Sequence, residues 1–134
     1  SVYGTRWHQF IDKKHICGEH INNEELAGYY SSAEIVLNDH WESMHKYGFI
    51  SNRIFDAAAC AALIVTDDIP GLNDIFGDNV LIYQNKNDLI NIFENRKDLK
   101  KINKLKELSR LITSEHTFKN RVAKIMDSIQ IKSS

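Results

Sequence analysis

Two cysteines are all that the chain holds, Cys17 and Cys60, and no short spacing joins them, which argues against a disulfide scaffold. Cys60 falls inside an apolar helical run, where a free thiol behaves as a small hydrophobe. An excess of basic charge is missing too: 17 Lys and Arg stand against 18 Asp and Glu, for a formal charge of −1. The electrostatic footprint of a protein that grips a nucleic-acid backbone or an anionic membrane is therefore absent, and nucleic acid is not an expected partner. No apolar run reaches the length of a membrane span, so no transmembrane segment is expected. The first residues, "SVYGTRWHQF", have neither the basic start nor the apolar stretch of a signal peptide, so the expected location is cytoplasmic. No internal repeat or low-complexity linker divides the sequence.

What is present suits one ordinary domain with a single core: 134 residues, 43% hydrophobic and 26% charged. "SVYG" reads as a strand that ends within four residues of the start, which leads to the expectation that an upstream strand is lacking. "HICG" is a short second strand, and "NNEELAGYYSSA" a helix with Asn22 or Asn23 as its N-cap and Leu26, Tyr29 and Tyr30 on one face. "EIVLND" reads as a buried strand, Ser51 to Ala62 as a helix, "LIVTD" as another buried strand, "DIPG" as a turn, "LNDIF" as a short helix and "NVLIY" as a last strand. The remainder, from Asn85 to about Ile129, has apolar residues every three or four positions and reads as two or three helices; its charged stretch is a solvated face. Short apolar strands separated by helices predict an α/β fold, a doubly wound parallel sheet with helices on both faces.

In such sheets ligands bind beyond the carboxyl ends of the strands, where loops run into helix starts. Three segments share that rim: "CGEHIN", "NDHWESMHKYGFISNR" and "TDDIPGLND". The second ends on Ser51, Asn52 and Arg53, with Asp56 one turn further along the helix. A helix start presents free N–H groups and partial positive charge, so this cluster either holds an anion, with Arg53 as the cation, or merely caps the helix while Arg53 pairs with Asp56. Spacing alone leaves both open. His15, Cys17 and His20 invite a zinc reading, but no second cluster completes a four-ligand site. Asp67 and Asp68 either hold magnesium or cap the turn containing Pro70 and Gly71. His40, Trp41 and His45 belong to a rim loop, where the Trp ring either stacks on a ligand or fills a small core of the loop itself. His116 reads as structural.

The run from "YYSSAEIVLNDHW" through "GFISNRIFDAAACAALIVTDDIPGLNDIF" to "EHTFKNRVAKIMDSI" resembles the C-terminal domain of GT-B glycosyltransferases. The likeness is to the group-one clan and its spore-maturation-protein-like branch, and it spans nearly the whole chain. It implies a Rossmann-like domain over 1–134 that binds a nucleoside-diphosphate sugar, with no metal or other cofactor required. Gly48 and Phe49 then match the loop whose backbone N–H groups approach the donor sugar, Ser51 and Asn52 the helix start that receives the diphosphate, and Asp56 the acid that hydrogen-bonds the ribose. The loop from Cys17 to Ile21, with His20 and Ile21 at its end, matches the backbone contact to the nucleobase. The resemblance also implies transfer with retention of configuration, and an N-terminal acceptor-binding domain in addition to this one, so that this chain alone is expected to be inactive and no catalytic residue is named in it.

Many members of the clan carry a glutamate just before the Gly-Phe pair; Lys46 and Tyr47 stand there instead. That departure keeps alive a non-catalytic nucleotide-binding or scaffold module with the same fold. A receiver-like signalling domain is a weaker rival, because it needs an acidic pair ending the first strand and a lysine ending the last, whereas Asp67 and Asp68 follow a late strand and Gln84 follows "NVLIY".

Overall fold

The run Ala62–Leu63–Ile64–Val65–Thr66 is the least accessible part of the chain, each residue 2% exposed or less. Consecutive apolar and β-branched residues suit a strand covered on both faces. In the computed structural model, which describes residues 1–132 and side chains as far as 129, this run forms strand β4 (Ile64–Asp67), the centre of a three-stranded parallel sheet. On one side it pairs with β3 (Val36–Leu37), Val36 opposite Ile64; on the other with β5 (Leu81–Tyr83), Val65 opposite Leu81. A separate parallel pair joins β1 (Val2–Tyr3) to β2 (Ile16–Gly18). Parallel strands flanked by helices make this the Rossmann-like α/β fold that the sequence predicts.

The strand expected at "EIVLND" differs. It is the two-residue β3 at the edge of its sheet, with Val36 buried and Leu37 51% exposed, because an edge strand has a partner on one side only. Helix α1 (Asn23–Ser32) follows β2, α3 (Asn52–Ala59) leads into β4, and α4 (Leu72–Phe76) follows it. Asn22 sits at the N-cap of α1 but makes no side-chain capping bond. The segment expected to be a rim loop contains a further helix, α2 (Glu42–Tyr47). Gly48, at φ +66°, stops it: Gly48 N donates to the His45 carbonyl and Phe49 N to that of Met44, the paired bonds of a Schellman ending.

Beyond β5 the described residues form four helices where two or three were expected: α5 (Lys86–Glu94), α6 (Arg96–Leu99), α7 (Ile102–Glu115) and α8 (Phe118–Lys132). Asn85 and Asp88 start α5 with a reciprocal capping box. The apolar spacing of α7 delivers buried residues, Leu105, Leu108 and Ile112, the last two joining the core cluster with Ile54, Ala57 and Ala58 of α3; in α8 the same spacing leaves Phe118, Val122 and Ile125 exposed. Small residues let α3 approach closely: Ala57 and Ala58 are fully buried, and Ser109 Oγ on α7 donates to the Ala59 carbonyl at 2.6 Å, satisfying one of the acceptors a helix end leaves over.

α3 also ends in a Schellman arrangement, with Ala61 N on the Ala58 carbonyl and Ala62 N on that of Ala57, but the left-handed position is held by alanine, at φ +55°. A Cβ there opposes the following carbonyl. Ala61→Gly is accordingly expected to stabilise the domain by about 1 kcal/mol, read as a higher urea midpoint at unchanged m. A lower midpoint would contradict this account of the turn.

Candidate functional site

The carboxyl ends of β3 and β4 lie side by side, so the residues just past β3 meet the last residue of β4. Asp67, ending β4, accepts from the Nδ1 of His40 at 2.6 Å and from the His40 backbone N–H at 3.2 Å. It also accepts from His45 Nε2 on α2 at 2.6 Å and from the Thr66 hydroxyl at 3.0 Å. Burial works to raise the pKa of Asp67, but the donors from His40, Thr66 and His45 together outweigh it and hold the carboxyl below its usual range. Asn38, also buried, donates to the Thr66 hydroxyl at 3.2 Å. On β5, Tyr83 donates to Asp39 at 3.3 Å; burial and the carboxylates of Asp39 and Asp67 push its phenol up to about 12, so it stays a neutral donor.

The far side of the His40 ring faces the start of α3, where its Nε2 accepts the Ser51 backbone N–H at 3.1 Å. The bonds from His40 and His45 engage the Asp67 carboxylate in place of the turn-capping role considered for it. His40, His45 and Asp67 do place ligand atoms within 4.8 Å of one another. Tetrahedral metal bonds of about 2.0–2.1 Å would hold those atoms roughly 3.3 Å apart, however, and ligation through His40 Nδ1 would put the ring proton on Nε2, facing another donor. As placed, both imidazoles are at hydrogen-bond distance from Asp67. Among the described residues His15, Cys17 and His20 do not converge in this way. Trp41 is 79% exposed rather than packed in a small core, and His116 lies against Phe55, ring centres 5.9 Å apart.

The Ser51 hydroxyl makes no capping bond. Asn52 Oδ1 accepts weakly from Arg121 at 3.5 Å. Asn52, Arg53 and Asp56 are all exposed, and among the described residues Arg53 and Asp56 form no ion pair, while the N–H groups of Asn52 and Arg53 meet no protein acceptor. Arg53 and Asp56 instead act on Tyr30 of α1: burial pushes its phenol up, Arg53 pulls it back and Asp56 pushes it up again. Gly48 and Phe49 spend their N–H groups on the end of α2, leaving the exposed Phe49 ring, 6.2 Å from that of Tyr47, on the rim. His20 and Ile21 lie on the loop between β2 and α1, with no hydrogen bond to the α3 start among the described residues. No described helix is long and apolar enough to cross a membrane.

Sequence reasoning missed the joint role of His40, His45 and Asp67. A signal was available, since two adjacent parallel strands that both end in polar residues bring those residues together.

Comparison with known proteins gives a family and a relative. The family described as glycosyl transferase-like matches residues 1–127. The spore protein CgeB of Bacillus subtilis (strain 168) is 30% identical over 103 residues, which cover 65% of this chain and 32% of that protein. The chain thus spans about a third of the length of the curated relative it matches. No solved structure matches.

Proposed function

The chain belongs to the glycosyl transferase-like family, and on that premise we propose that it binds the nucleoside-diphosphate sugar from which a sugar is transferred. The observation that carries this reading is the start of α3. Neither Ser51 nor Asn52 caps it with its own side chain; among the described residues the N–H groups of Asn52 and Arg53 meet no protein acceptor and the exposed Arg53 beside them is in no ion pair, in contrast to α5, which is closed by its capping box. A diphosphate needs that combination of N–H donors, helix dipole and guanidinium. Asp56, exposed one turn in, is offered to the ribose, the loop ending in His20 and Ile21 to the base, and the exposed Phe49 ring after Gly48, rather than the N–H groups of that pair, to the sugar. Stabilisation of the leaving diphosphate by these fixed donors requires no metal. The acceptor and any general base belong to a further domain.

Calorimetric titration with UDP and GDP tests the reading. Arg53→Ala is expected to weaken binding roughly ten- to a hundredfold with little change in stability. Asp56→Asn is expected to weaken nucleotide binding more than pyrophosphate binding. If both substitutions lower Tm and leave affinity unchanged, the cluster only starts a helix. Lys46 and Tyr47, standing where many members of the clan have a glutamate, favour one second reading, a nucleotide-binding module without turnover; it predicts the same binding but no hydrolysis or transfer of the bound sugar even by the full-length protein.

A further inference from the structure

Most helices relieve the shortage of acceptors at their first turn with a Ser, Thr, Asp or Asn side chain. α3 uses a histidine eleven residues upstream instead: the Ser51 N–H donates to His40 Nε2 at 3.1 Å, while the Ser51 hydroxyl does no capping. A ring nitrogen that accepts is unprotonated, which assigns the His40 proton to Nδ1, 2.6 Å from an Asp67 oxygen; the Asn38 amide, at 3.5 Å from Nδ1, is the more distant partner of that nitrogen. The His40 side chain is wholly inaccessible to solvent, and Asp67 is itself held by His45 and Thr66.

We propose that His40 is a positioning residue for the start of α3. Asp67 fixes its tautomer, and Nε2 then ties the first turn of α3 to the ends of β3 and β4. The Ser51 N–H is thereby turned inward and occupied, so the donors left to an anion are the N–H groups of Asn52 and Arg53 and the Arg53 guanidinium. That functional half rests on the donor-site reading; the positional half does not.

Long-range nitrogen–proton NMR on the whole chain is expected to show His40 protonated at Nδ1 and bare at Nε2, with the Ser51 amide protected from exchange. His40→Gln can set an amide oxygen where Nε2 was, whereas His40→Asn reaches only the place of Nδ1. Both variants are expected to lose similar stability, yet Ser51 protection survives in the Gln variant and falls about tenfold in the Asn variant. Affinity for UDP and for inorganic pyrophosphate follows the same split, within about threefold of wild type for Gln and roughly five- to tenfold weaker for Asn. An Nε2–H tautomer, equal Ser51 protection in the two variants, or a split in protection with equal affinities overturns the proposal. A split in protection in a protein whose wild type binds neither ligand upholds the positional role of His40 and removes the donor-site reading instead.

Discussion

Replacing Asp67 by alanine is expected to cost the domain about 3 kcal/mol, on the order of 10 °C in Tm. The carboxylate serves His40 twice, His45 and Thr66. His40 and Thr66 are buried, so their donors cannot turn to water when the acceptor goes, and each stranded donor costs roughly 1–3 kcal/mol. Asp67→Asn keeps one acceptor and is expected to cost about half as much. The cost also depends on pH. Because the Asp67 pKa is lower in the folded chain than in the unfolded one, its contribution is complete above the unfolded value, near ~3.9, and is lost as pH falls through the folded value. Urea titrations should therefore show the gap between wild type and Asp67→Asn narrowing as pH drops below about 4. A gap that stays constant through that range would mean that the donors do not depress the carboxyl.

Phe76→Ala is expected to cost about 3–5 kcal/mol, a large part of the stability of a domain this size. Phe76 is 1% exposed, its ring centre lies 5.1 Å from that of Phe55, and it closes the core between α4, α3 and β4. Removing the ring forfeits its transfer from water and leaves a cavity that a five-residue helix cannot collapse to fill. Phe76→Leu, which keeps most of the volume, is expected to lose only about 1 kcal/mol. The urea midpoint at constant m reads both, and a cost for alanine under 1 kcal/mol would show that the site refills.

The parts of the fold that were legible in the sequence are those where one local signal suffices. β4 announces itself by a run of apolar and β-branched residues, and α4 by the turn before it. The Ala-rich face of α3 predicts a buried helix whatever packs against it. α2 was not read, although Gly48 after "ESMHKY" marks a helix end, because six residues are too few to show a period. The polar cluster at the start of α3 was legible as a cluster, but its cap was not: sequence rules look for an acceptor at Ser51 or Asn52, and the one used comes from His40 through tertiary contact. Likewise His40, His45 and Asp67 follow no helical or strand spacing, and only the pairing of β3 with β4 brings them together. Local sequence offers Asp67 its own turn or an ion, and nothing local shows that two imidazoles reach it.

The order β3–β4–β5 also carries an expectation about the order in which the strands pair. The register of β4 with β5 closes a shorter loop than that of β3 with β4, and the longer closure carries an extra entropic cost of roughly 0.5 kcal/mol. Chain collapse should then meet the β4–β5 pairing, spanned by α4, before the pairing that needs α2 and α3 to be threaded between two strands. His40 follows β3 and Asp67 ends β4, so the hydrogen bond between them is expected to form after the β4–β5 pairing.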